Sequence, residues 1–309
     1  MTLPSGYAVR PSSEDDLDAI FDLLRTYEAW DGHSEPQASE HLIDDFRTRG
    51  FEPARDTWFV TDPTGVVAAW VLYKDTEPGA DSAQGYGRVH PEHRGRGLGA
   101  FLVDTVDRRW VTSTTVPRHD VLRHWLSATD ADAASLFASR GFSFARREFH
   151  LERGLADVPS VSPPPGVDIR PLRRDEQRAL HELNEEAFAR HWGFRGSTFE
   201  EFTSSFAVSL SEPGLAWVAA DGGSLVGELL LEIREDGGWI NVLGVHSSAR
   251  GRRIGRALLR TGFAELAGRG CERALLGVDA GNETGAVALY LGEGMTVRRE
   301  WHVVEKRLD

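Results

Sequence analysis

The feature that most narrows the fold is a repeat. Arg10-Pro11 recurs as Arg170-Pro171, 160 positions on. "VHPEHRGRGLG" from Val89 recurs as "VHSSARGRRIG" from Val245, 156 on. "LFASRGF" from Leu136 recurs as "LYLGEGM" from Leu289, 153 on. Three marks in one order at nearly one offset imply a duplicated unit of roughly 150 residues, a length that can bury its own core. Ala156–Asp168 lies between the copies and holds four prolines. Proline has a fixed φ and no N–H, so this stretch reads as an extended linker. The expected organisation is 1–154, a linker at 155–166, and 167–309.

Each copy alternates strand and helix patterns. In the second, a strand at 167–171 stops at proline, and helices follow over Glu176–Ala189 and Thr198–Leu210. "AWVAAD" and "LVGELLLEIRE" form a hairpin whose "DGGS" turn uses glycine for positive φ. "WINVLGVH" is a strand, "RRIGRALLRTGFAELAGRG" a helix, "RALLGVDA" a strand, "ETGAVALYLGEG" a helix and "VRREWHVVEKRL" a final strand or pair. The first copy gives the same order from "TWFVTD" to "FARREFHLER". The fold class is therefore α/β, in two tandem domains, each with a mixed central sheet covered by helices on both faces.

A net charge of −13 weighs against a nucleic-acid partner and is compatible with a cationic acceptor. One cysteine, Cys271, allows neither an intrachain disulfide nor a CxxC metal site, so no metal is expected. "MTLPSGYAVRP" has no basic start leading into an apolar run, and no stretch nears the ~20 apolar residues of a membrane span. The expected compartment is the cytoplasm, with no membrane partner.

The repeated loops carry the chemical signal. A strand ends and a helix begins within a few residues, so unpaired N–H groups and the positive end of the helix dipole converge there. A diphosphate can accept those hydrogen bonds, glycines let it approach, and arginines add charge. A basic helix start with a tight turn fits the same letters. Neither copy has Walker spacing, and the loop follows a fourth strand, unlike the Rossmann fingerprint.

The pattern V-H-x-x-x-R-G-x-x-[IL]-G, then helix, strand and N-x-x-x-A-x-x-L-Y-x-x-x-G, resembles the GNAT superfamily of acyl-CoA-dependent N-acyltransferases. Its carriers are Val245, His246, Arg250, Gly251, Ile254, Gly255, Asn282, Ala286, Leu289, Tyr290 and Gly294. The tandem arrangement is similar to that of the mycothiol synthase family and other actinobacterial double-GNAT acetyltransferases. The resemblance implies acetyl-CoA, or another short acyl-CoA, as cosubstrate. Its diphosphate would lie on the loop from Arg250 through Gly251, Arg252, Arg253, Ile254 and Gly255 to Arg256, with Arg94, Gly95, Arg96, Gly97 and Gly99 as the first copy's counterparts. The pantetheine arm would pair with the strand edge at Leu243 and Val245, and Asn282 would hydrogen-bond it from the other side. The Val245 N–H would serve as oxyanion donor, and Tyr290 as the acid that protonates the departing sulfur. The implied reaction moves an acetyl group to a primary amine of a small molecule by direct attack in a ternary complex.

The copies differ where chemistry would occur. Counting back from Gly294 to Gly141, Tyr290 matches Phe137 and Asn282 matches Thr129. The first domain is thus expected to be catalytically degenerate and the second catalytic. Arg253 falls where Gly97 sits, and a helix-start φ is expected to suit it. Asn241 occupies a fourth-strand position where the family often has glutamate. Glu228 and Glu232 share one strand face; they line a wet groove or a solvated surface, and Glu228 is the candidate base. His191, Trp192 and Phe194 form a candidate lip over the acceptor, with Asn241 nearby, or a loop clamped to the core. Two other readings stay open: a non-catalytic acyl-CoA-binding module, and modification of a lysine-bearing peptide.

Overall fold

A computed structural model of the chain describes residues 2–32, 42–43, 46, 50–75, 81–115, 119–282 and 284–308. They form two compact units. One is Met1–Arg147 with Trp301–Asp309, and the other is Glu148–Glu300. Against contiguous boundaries at 154 and 167, the units exchange their closing segments. Strands β6 (Ser143–Gly154) and β12 (Thr296–Arg307) each run across the division.

In the first unit the strands are β1 (Ala8–Arg10), β2 (Thr57–Thr61), β3 (Val67–Lys74), β4 (Ala83–Val89) and β5 (Val121–Ser127). They pair in chain order, antiparallel except for β4 with β5. The second unit repeats this with β7 (Val167–Pro171), β8 (Ala216–Asp221), β9 (Ser224–Arg234), β10 (Gly237–Val245) and β11 (Arg273–Asp279). There the parallel pair is β10 with β11. Residues Val121–Ser127 then pair with Trp301–Arg307, and Arg273–Asp279 with Glu148–Gly154. So the last strand of each unit comes from the other half of the sequence.

Helices cover both faces of each sheet, as the sequence pattern predicts. In the first unit, α1 (Leu17–Trp30) buries Ile20, Leu23, Leu24 and Tyr27, an i, i+3, i+4, i+7 stripe, in a core with Phe59 and Trp70. Next in the chain is the short α2 (Pro53–Asp56). On the opposite face, α3 (Leu98–Val111) and α4 (Ala131–Ala138) close a second core around Val71, Leu122 and Val304. In the second unit, α5 (Gln177–Phe188), α6 (Phe199–Ser205) and α7 (Ala207–Ser211) lie over one face. The single helix expected over 198–210 breaks at Phe206, whose φ of −113° leaves the helical region. The other face carries α8 (Ile254–Gly268) and α9 (Ala286–Gly292).

The repeated Arg-Pro mark has a local cause. Arg10 grips Asp16 with both guanidinium nitrogens at 2.7 and 2.5 Å, and Arg170 grips Glu176 with both at 2.7 Å. Each fixes the entry from strand to helix by a bidentate contact. The hairpin turn at Gly222 and Gly223 has φ of 58° and 91°, the pair of positive values that the "DGGS" letters require.

Because Trp301–Arg307 supplies a strand of the first unit, deletion of 301–309 should open that unit selectively. Hydrogen exchange should then accelerate across Val121–Ser127 while Leu229–Leu231 stays protected. Unchanged protection of Val121–Ser127 would contradict the exchange of closing strands.

Candidate active site

The site begins with the gap between two parallel strands. β10 pairs with β11 only at Gly238–Ala274 and Trp239–Leu275. Just beyond, the β10–β9 register shifts between Ile240 and Val242, so Asn241 is the extra residue of a β-bulge. A bulge bends its strand and raises the local twist, which carries β10 away from β11. The His246 N–H donates to the Val226 carbonyl at 3.0 Å. Hydrogen-bonded and non-bonded positions alternate along an antiparallel pair. Val245 and Leu243, opposite Gly227 and Leu229, therefore turn their N–H groups away from β9, toward the side that β11 has left. In the first unit β4 and β5 stay paired through Gly85–His124, and the β4–β3 register runs without a shift.

The loop at Arg250–Gly255 leads into α8. Gly251 and Arg253 have φ of 79° and 65°, and their counterparts Gly95 and Gly97 have 71° and 87°. Left-handed residues alternating with others curve successive N–H groups toward one point, an anion-binding concavity. The expectation of an ordinary helix-start φ at Arg253 is wrong. Among the described residues it is the non-glycine residue with positive φ, a strain of about 1–2 kcal/mol for an L residue. Its side chain is exposed, with no hydrogen bond or ion pair among the described residues. The other arginines are engaged. Arg250 donates to the carbonyls of Val245 and Ala187, both at 3.1 Å; Arg252 pairs with Asp221 at 2.5 Å; Arg256 pairs with Glu293 at 2.8 Å. In the first unit Arg94 is held by Asp130 at 2.7 and 2.9 Å, and Arg96 donates to the Tyr7 hydroxyl at 3.3 Å. Gly99 and Gly255 each allow a leucine from the following helix to pack against them, Leu136 and Leu289.

Tyr290 lies on α9 with its ring in the core, and burial pushes its phenol up to about 12. Its hydroxyl has no hydrogen-bond partner among the described residues. Asn282 is engaged locally. Its Oδ1 accepts from the Thr284 N–H at 2.8 Å and the Thr284 hydroxyl at 2.5 Å, forming the turn before α9. The amide nitrogen is the part left for any other contact.

Glu228 departs from both readings of its strand face. It is 0% exposed, neither solvated nor in a wet groove. Asn184 of α5 donates to its Oε1 at 3.1 Å, and its Oε2 has no partner. The carboxyl fits because Gly244 is opposite it: a Cβ there would stand 2.5 Å from Oε1 and 3.1 Å from the Phe188 ring. Burial pushes the acid up to about 8, with the Asn184 hydrogen bond a smaller opposing effect. Glu232, on the same face, is bound by Arg234 at 2.6 Å and by the Asn241 amide at 2.7 Å. Asn241 also accepts from Arg234 at 2.9 Å, so both ends of its amide are occupied.

The lip reaches this place through Phe188. The ring centroids of His191 and Phe194 lie 5.8 and 6.3 Å from that of Phe188, and His191 contacts the Trp192 carbonyl at 3.2 Å. The sequence pattern missed Asn184 and Phe188. Their spacing on α5 is that of any half-buried helix, and only their register against Gly244 marks them. Cys271 is half-buried, and burial pushes its thiol up. Among the described residues no group of His, Cys, Asp or Glu is arranged to hold a metal, and no helix is long and apolar enough to cross a membrane.

Each unit has a parallel pair that parts before its strands end, after Gly85–His124 in the first and after Trp239–Leu275 in the second, followed by a glycine-arginine loop and helix; together these define an acyltransferase fold of the GNAT type. The sequence model of the Acetyltransferase (GNAT) family matches twice, over residues 17–142 and 177–293, and the chain belongs to that family as a tandem acetyltransferase. It is 30% identical over 253 residues to the mycothiol acetyltransferase of Streptomyces bingchenggensis, covering 79% of each chain. It is 29% identical to that of Catenulispora acidiphila, covering 94% of this chain and 95% of the other. The crystal structure of a GCN5-related N-acetyltransferase from Sphaerobacter thermophilus superposes with a TM-score of 0.86 at 29% identity, over 99% of this chain and 97% of that one.

The Glu228 acid sets a pH dependence of stability. Its proton is lost near 4.5 when unfolded and near 8 when folded. Between those values the unfolded state binds fewer protons, so stability falls as pH rises. Glu228→Gln should flatten thermal midpoints measured from pH 5 to 8 relative to wild type. Parallel slopes for the two proteins would show that Glu228 ionises normally in the fold.

Proposed function

We propose that the chain is an acetyl-CoA-dependent N-acetyltransferase acting on a primary amine of a small molecule, with transfer in the second unit. The observation that carries this reading is the buried Glu228 carboxyl beside Gly244, with its second oxygen unpartnered. An amine must be neutral to attack, and the ionised form of a carboxyl whose pKa is raised to about 8 is a strong enough base to take its proton as pH rises toward 8. The base assignment rests on Glu228; Asn241 and Glu232 hold each other and Arg234 instead.

In this reading the diphosphate rests on Arg250–Arg256, with Arg253 as the uncommitted cation. The arm lies along Leu243–Val245, whose N–H groups face the gap. The amine nitrogen adds to the thioester carbonyl as its proton passes to Glu228. The oxyanion is held at the Val245 N–H. Collapse re-forms the carbonyl and breaks the C–S bond, and the sulfur leaves with a proton from Tyr290. A phenol pushed up to about 12 holds its proton until thiolate forms, so it acts by hydrogen bonding at least as much as by transfer. His191, Trp192 and Phe194 cover the acceptor. The Arg94–Gly99 loop is read as a second CoA site without turnover, since Phe137 cannot donate. The setting is cytoplasmic.

The narrower reading is a mycothiol-synthase-like activity, favoured by the relatives named mycothiol acetyltransferase at about 30% identity. Acetyl-CoA turnover with a panel of amines tests the broader one. Tyr290→Phe should lower kcat roughly 10²-fold with little change in KM. Binding of acetyl-CoA without turnover on any amine, and an inert Tyr290→Phe, would favour a non-catalytic binding module.

A further inference from the structure

Arg88 takes no part in that chemistry. Val89 pairs with Ala69 as Val245 pairs with Gly227, so Arg88 and Trp70 stand where Gly244 and Glu228 stand in the other unit. A buried carboxyl over a glycine is exchanged for an indole beside a guanidinium. A fixed positive charge stands at that end of the strand gap, where the second unit keeps an acid that is neutral near pH 7.

The guanidinium is half-buried. It donates to the Gly87 carbonyl at 2.7 Å and lies over the rings of Tyr27, Tyr86 and Trp301, at 4.9, 4.7 and 5.4 Å. Among the described residues no carboxylate pairs with it. The nearby acid Asp130 is already held by Arg94 and by the Tyr27 hydroxyl at 3.0 Å. Aromatic faces offset part of the cost of burying a cation, yet they leave the planar fork free for a carboxylate.

Arg88 lines a cavity of about 380 Å³ that also reaches Arg94, Gly95 and Gly99 of the loop. That volume suits a small ligand. His124 lines it too, 5% exposed and with Nε2 unpartnered. Burial, reinforced by Arg88, pushes its imidazole down to about 3, so Arg88 and not His124 is the cation it adds to this cavity.

We infer that the first unit binds a CoA thioester whose acyl group ends in a carboxylate, paired with Arg88. This rests on the reading of Arg94–Gly99 as a CoA loop. An acetyl group carries nothing that a guanidinium can hold. A succinyl-like group extends a carboxylate from the thioester, and the guanidinium fork can donate two hydrogen bonds to it.

The test uses the full chain, with succinyl-CoA and acetyl-CoA as probes, calorimetry for affinity, and hydrogen exchange to locate binding at 85–99 or 241–255. Succinyl-CoA should protect 85–99 and bind there roughly tenfold or more tightly than acetyl-CoA. Arg88→Met should remove that preference, and Arg88→Lys should keep part of it. Equal affinities, or a preference that survives Arg88→Met, would overturn the inference and leave the CoA reading standing. Acetyl-CoA with free succinate matching succinyl-CoA would overturn the acyl-linked assignment. Protection of 241–255 alone by every CoA probe would overturn the CoA reading of the first unit, and the inference with it.

Discussion

The parallel pairing of β10 with β11 stops after Trp239–Leu275, and the rest of the second unit depends on that gap. An unbroken ladder would bury the N–H groups of Leu243 and Val245 in sheet hydrogen bonds. The Asn241 bulge breaks it, and the Glu232–Arg234–Asn241 cluster holds the bulge in shape. Asn241 thus stands where a base could sit and serves as a structural clamp. In the first unit the ladder runs on to Gly85–His124, and the β4 register shows no bulge.

Removing a carboxyl wholly from water is costly unless it is protonated or paired. Glu228 has one amide donor and one unpartnered oxygen, so its burial costs stability that packing elsewhere must offset. Gly244 is what lets the site exist, since any side chain there would meet the carboxyl and Phe188. In the proposed mechanism the same burial makes the ionised carboxylate a stronger base toward the amine proton. The exchange of Glu228 and Gly244 for Trp70 and Arg88 then separates the two units by charge as well as by the loss of the Tyr290 hydroxyl.

Much of the architecture was legible because repeats and periodicity are local. The Arg-Pro marks, the "DGGS" turn and the strand-loop-helix order each follow from residues near one another in the chain. Pairings that join distant segments were not legible. Both closing strands look like strands, yet nothing in "FARREFHLER" or "VRREWHVVEKRL" says which sheet each half of them completes. The left-handed φ of Arg253 was missed because helix-start letters outweigh the comparison with Gly97. Glu228 could be placed on a face, but its burial depends on Asn184, Phe188 and Gly244, which lie 44, 40 and 16 positions away.

The central claim is that Glu228, whose ionisation burial pushes up to about 8, is the proton acceptor of the reaction in its ionised form. The most direct measurement is the pH profile of kcat/KM for acetyl transfer to an amine whose own pKa lies well above 9. Wild type should rise with an apparent pKa near 8, and Glu228→Gln should be slower and lack that inflection. The same inflection in both proteins would contradict the account and assign the proton to another group.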